Sequence, residues 1–71
     1  DLDVLDPSIM SGTGTPEAGG FSYRELMEWV LELKKYNIIG ADIVELAPDL
    51  DITKVSTATA CKLIREVLNI L

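Results

Sequence analysis

The chain has 71 residues and a net charge of −6, with no histidine and a single cysteine. The acidity argues against a nucleic-acid partner, whose binders carry a basic footprint. No apolar run approaches the roughly 20 residues of a membrane span, and a histidine base or ligand is excluded within these residues.

Hydrophobic residues make up 48% of the chain, much of it in continuous stretches, which is core sequence rather than a disordered tail. Cys61 alone cannot form an internal disulfide, which points to a reducing cytoplasm. The first residue is Asp, an apolar run is already under way, and no N-terminal signal peptide is visible. Domains near this size bury only about 60% of their unfolded surface and are marginal alone. We therefore expect the chain to be a piece of a longer protein.

Residues 1–4 read as the end of a buried strand. Strand geometry would put Asp1 and Asp3 on one side, about 6.6 Å apart. Two converging carboxylates are half of a site for a hard cation, which prefers oxygen ligands. Pro7 cannot donate to a ladder and ends the pairing. Residues 5–21 have neither helical nor strand period. Gly12, Gly14, Pro16, Gly19 and Gly20 punctuate them, and a loop of this length in a compact domain is usually functional.

A helix is predicted over 22–36. Ser22-Tyr23-Arg24-Glu25 has the form of a capping box, with Phe21 placed to staple onto Leu26. Leu26, Met27, Val30, Leu31 and Leu33 recur at helical spacing, while Glu28, Glu32 and Lys35 fall on the wet face. Lys34 and Lys35 suit the dipole of the last turn. Trp29 reads as a packing residue. The run 38–45 is short, apolar and β-branched, so it reads as a parallel strand covered on both faces, with Glu45 at its carboxyl end. A turn follows from Pro48 to Asp51, then a second helix over 53–70. Its early part is a run of small residues, Ser56 to Ala60, suited to close approach, and Cys61 reads as a small buried hydrophobe.

Strand, loop, helix, strand, helix is a βαβ unit plus a helix, hence an α/β fold with a parallel sheet and a right-handed crossover. Ligands of open α/β sheets bind beyond the carboxyl ends of the strands. Asp1, Asp3 and Glu45 should then face one crevice.

The D-x-D-x-x-D spacing is weakly specific. A calcium loop would need glycine at Asp6 and glutamate at Gly12. A haloacid-dehalogenase phosphatase would need Thr or Val at Leu5. The glycine-rich loop lacks the G-K-[ST] of a phosphate-binding loop. Alone, Asp1 and Asp3 read as a solvated acidic strand end, and Glu45 as a surface residue.

The combination is more specific. Asp-Leu-Asp-Val-Leu-Asp-Pro, Gly-Thr-Gly-Thr-Pro-Glu-Ala-Gly-Gly, Tyr-Arg-Glu and Gly-Ala-Asp-Ile-Val-Glu-Leu-Ala-Pro occur in order. Across its whole length the chain resembles the C-terminal part of the ureohydrolase family, which contains arginase, agmatinase, guanidinobutyrase and formimidoylglutamase. The resemblance implies that the chain is the βαβα part of a three-layer α/β/α domain. It also implies two manganese ions and hydrolysis of a guanidino group with release of urea.

On that resemblance Asp1 bridges the two metals, Asp3 ligates one of them, Glu45 receives the substrate guanidinium and Thr15 lines the site. Two metals about 3.5–4 Å apart can lower the pKa of a shared water and so attack a resonance-stabilised carbon. The family's remaining ligands and its proton-transfer histidine would lie upstream, so the implied expectation is that these residues alone are inactive and hold manganese weakly. The T-P-E-x-G-G version of the loop, with Glu17, is more similar to agmatinases than to arginases, implying conversion of agmatine to putrescine and urea. Family members form trimers and hexamers. The rival of another class is a non-catalytic assembly module, with an interface near Tyr23-Arg24-Glu25.

Overall fold

A computed structural model describes residues 1–71. Its elements in order are a 3-10 turn at Leu2–Val4, helix α1 at Tyr23–Glu32, a 3-10 turn at Leu33–Lys35, a 3-10 turn at Pro48–Leu50 and helix α2 at Val55–Ile70. Neither expected strand forms. Residues 1–4 are a turn because the Asp1 carboxylate accepts the Asp3 amide at 3.0 Å and Leu5 N donates to Leu2 O at 3.1 Å. Residues 38–45 carry no regular structure, and their one bond to the N-terminal turn runs from Leu2 N to Val44 O, at 3.1 Å. A strand exists only through ladder partners, and these two segments give each other a single rung.

The remaining β pairing is one isolated parallel bridge, Leu5 to Phe21. Phe21 N donates to Val4 O at 2.8 Å and Asp6 N to Phe21 O at 2.9 Å, so the loop leaves and returns at the same place. Gly20 permits this approach, since a Cβ there would lie 2.6 Å from Val4 O.

Helix α1 starts at a complete capping box. Ser22 Oγ accepts Glu25 N and Glu25 Oε1 accepts Ser22 N, each at 3.1 Å. The helix tightens into the 3-10 turn at Leu33–Lys35, where Lys35 pairs with Glu32 on the wet face. Phe21 meets Trp29 edge-on, with centroids 4.6 Å apart and planes at 64°. Helix α2 has no side-chain cap at Lys54, whose φ is 67°. Asp51 instead takes amides of the helix's first turn. Oδ1 accepts Ser56 N at 3.3 Å and Oδ2 accepts Thr57 N at 2.8 Å.

The core is Leu2, Leu5, Met10, Val30, Ala60 and Leu63, where the N-terminal turn meets both helices. On α2 the buried positions are Ser56, Ala60 and Leu63, one stripe at helical spacing. Cys61 lies about 100° off that stripe and is exposed, contrary to the expectation of burial. The shortest dimension of the molecule is 16 Å. A helix with its side chains is about 10–12 Å across, so this thickness admits one helix layer against one layer of chain.

Candidate functional site

Three segments are joined by hydrogen bonds: the turn carrying Asp1 and Asp3, the loop carrying Thr15, and the segment carrying Glu45. Thr15 Oγ1 donates to Asp3 Oδ2 at 2.6 Å, joining a predicted substrate residue to a predicted metal ligand. Leu2 N donates to Val44 O, and Ala47 N donates to Gly12 O at 2.7 Å. Glu45 is therefore flanked by a bond to the N-terminal turn on one side and a bond to the loop on the other.

Glu45 is exposed, enters no ion pair and has φ 79°. A non-glycine residue held there costs about 1–3 kcal/mol and persists only where its surroundings hold it, most often at a working site. No local sequence signal marks this backbone state.

The structure departs from the expected crevice in one respect. Asp1, Asp3 and Glu45 do not converge, and no group of three or more His, Cys, Asp or Glu side chains is close enough to hold a metal. The reason is the turn. Its three residues per revolution do not stack i and i+2 on one face as a strand does.

A metal pair of the kind implied by the resemblance can nonetheless be tested against the donor set. Asp1 and Asp3 offer carboxylate oxygen, the donor that manganese and other hard cations take. One oxygen of Asp1 accepts the Asp3 amide and one of Asp3 accepts the Thr15 hydroxyl. Each carboxylate keeps a second oxygen without a hydrogen bond. The residues fit in type, while their number falls short of a complete coordination sphere.

The loop is organised by a residue to which the sequence reading gave no role. Asp6 Oδ2 accepts both the amide and the hydroxyl of Ser8, at 3.0 and 2.6 Å, and Oδ1 accepts Gly19 N at 3.1 Å. The hydrogen bond from the Ser8 hydroxyl, backed by these amides, holds the Asp6 carboxyl below the ordinary carboxylate range. Asp-Pro-Ser has the spacing of an Asx turn, so half of this arrangement had a local signal. Asp51 is likewise held low, chiefly by its side-chain bond from Thr57. Tyr23, whose buried hydroxyl has no partner, is pushed up by burial and by the charge of Glu66.

A second, greasy depression lies between α1, α2 and residues 38–43, with a volume of about 240 Å³. Leu26, Val30, Ile43, Leu63 and Val67 line it, and only Asp1 and Asp42 are charged. Neither Thr15 nor Glu45 reaches it. It is unsuited to a guanidinium, so the candidate site is the junction of the three segments.

Comparison with known proteins bears on this arrangement. The arginase-family model matches residues 1–69. The agmatinase of Halalkalibacterium halodurans is 47% identical over 70 residues, covering 96% of this chain and 24% of that protein. The agmatinase of Bacillus subtilis matches at the same identity and the same shares. Among solved structures, a Clostridium difficile protein provisionally named as an agmatinase superposes with a TM-score of 0.90 at 57% identity, covering 99% of this chain and 26% of that one. The proclavaminate amidino hydrolase of Streptomyces clavuligerus gives a TM-score of 0.92 at 31% identity, covering 99% and 23%. The chain thus spans about a quarter of the length of these relatives. With the family's motifs in order and its backbone reproduced from end to end, the chain belongs to the arginase family.

Proposed function

We propose that the chain supplies the carboxylate and guanidinium-binding part of a binuclear manganese hydrolase acting on agmatine, with putrescine and urea as products. The observation that carries the reading is the bond from Thr15 Oγ1 to Asp3 Oδ2. On this reading it joins a residue proposed to line the substrate's path to a residue proposed to hold the metal. The agmatinase relatives support the substrate, and the arginase-family match supports the metal. The remaining ligands would come from residues outside this chain, within a three-layer α/β/α domain completed by its parallel sheet.

When bound, the manganese pair would supply a water of lowered pKa as the nucleophile. Asp1 and Asp3 would hold the metals through their free oxygens. Glu45 would pair with the cationic guanidinium, a charge-assisted contact of the stronger kind, and orient its central carbon. Thr15 would hold the Asp3 carboxylate in one orientation while lining the substrate's path. Overall, water adds to that carbon, the bond to the alkylamine nitrogen breaks, and the amine leaves with a proton. A cytoplasmic homo-oligomer, a trimer or a hexamer, is the assembly proposed with this activity.

The test is urea release by the full-length manganese-loaded protein, offered agmatine, arginine and guanidinobutyrate side by side. Turnover confined to agmatine is the expected result. Turnover of another member of the panel would replace the substrate but keep the chemistry. Release from none would overturn the hydrolase reading.

A further inference from the structure

We propose that Ser56, in the first turn of α2, is a positioning residue that fixes Glu45 through Gly12. The inference rests on the reading of Glu45 as the guanidinium-binding residue. Ser56 is fully buried, and its Oγ accepts Gly12 N at 2.8 Å across 44 residues of chain. The carbonyl of the same glycine accepts Ala47 N at 2.7 Å. Gly12 is thus a junction, with α2 bonded to its amide and the Glu45 segment bonded to its carbonyl.

The junction has little room to shift. A Cβ on Gly12 would lie 2.7 Å from the Asp51 Cβ and 3.0 Å from the Ser56 Cβ. Ser56 is itself set by Asp51, which takes its amide. Glu45, two residues before Ala47, sits at a positive φ that only its surroundings can maintain. The bonds nearest to it are Leu2 N to Val44 O and Ala47 N to Gly12 O. The second of these is only as firm as Gly12, and Gly12 is fixed by the Ser56 hydroxyl. Without that hydroxyl, a buried N–H loses its acceptor and the peptide must move to find another.

The experiment uses the full-length manganese-loaded protein and three variants. Ser56→Ala removes the acceptor. Ser56→Cys keeps a weak one at similar size. Thr57→Val weakens the Asp51 cap of α2 without touching Gly12. Ser56→Ala is expected to raise KM for agmatine roughly tenfold, on the scale of a buried donor left unpaired, with kcat changed less than about twofold. Its amide hydrogen exchange over 44–48 should quicken, and its manganese content should match the parent. Ser56→Cys should fall between, and it carries the test if Ser56→Ala does not fold. Thr57→Val should lower Tm with a much smaller rise of KM than Ser56→Ala. An unchanged KM and unchanged exchange in the Ser56 variants would overturn the proposal, as would an equal rise of KM in Thr57→Val. If the parent releases no urea, the hydrolase reading fails, while the exchange rates over 44–48 still decide whether Ser56 fixes that segment.

Discussion

Oδ1 of Asp6 accepts the backbone amide of Gly19 at 3.1 Å, closing 13 residues of chain on one carboxylate. The same carboxylate takes Ser8 at the loop's other end, so the clasp requires the ionised form. Because the folded state holds Asp6 below its ordinary value of 3.8, ionised Asp6 stabilises the fold above that value. The contribution disappears as pH falls through the lower, folded-state value. Asp51, held low by Thr57 and the first amides of α2, behaves with the same sign. Denaturant midpoints taken from about pH 6 down to about pH 2 should fall steeply at the acid end. Asp6→Asn should start lower and fall less. A variant that tracks the parent slope would show that the clasp is not what acid breaks.

Thr15 separates hydrogen bonding from shape. Thr15→Ser keeps the donor to Asp3 and should retain most of the urea release. Thr15→Val, nearly isosteric, leaves the carboxylate without that donor and should lower kcat/KM roughly tenfold or more, the scale of a bond to a charged acceptor. Equal activity in the two variants would show that the Thr15 to Asp3 bond does not support turnover.

Two non-glycine residues have positive φ, Glu45 at 79° and Lys54 at 67°. Glycine at either position relieves steric strain at the cost of a more flexible unfolded chain. Lys54→Gly should be neutral or stabilising by up to about 1 kcal/mol and leave urea release intact. Glu45→Gly should match it in stability, read from denaturant midpoints, yet abolish turnover. A Glu45→Gly protein that keeps its activity would show that the carboxylate is not the guanidinium partner.

The isolated 71-residue chain should release no urea from agmatine and should bind manganese weakly, since its structure offers no cluster of three ligating side chains. Calorimetric titration with manganese and a urea assay check this directly. Tight binding would mean that the two N-terminal carboxylates recruit ligands from within these residues.

What the sequence revealed and what it hid divide by range. The capping box at Ser22 and Glu25 was legible because both of its bonds span three residues. Of the expected helix 22–36, α1 and its 3-10 extension occupy 23–35, and α2 begins two residues later than periodicity placed it, with Asp51 capturing the amides of Ser56 and Thr57. The segments 1–4 and 38–45 have the composition of strands, but pairing is decided by neighbours far along the chain, and within these residues only one rung joins them. Asp1, Asp3 and Glu45 were legible as carboxylates at the expected strand ends, while Thr15 and the role of each of the four came only through the family motifs. The Thr15 to Asp3 bond, the φ of Glu45 and the Gly12 junction all depend on contacts between distant segments, which no local pattern encodes.

Trp29 is the only tryptophan of the chain, and it stands edge-on to Phe21, the residue at which the loop returns to the N-terminal turn. An indole fixed against an asymmetric aromatic neighbour acquires optical activity that a freely rotating one lacks. Among these residues, the near-ultraviolet circular dichroism of a single chromophore therefore reports whether the loop is shut, without a label. Opening of the Asp6 clasp in acid should bleach that band before the helical signal at shorter wavelength declines.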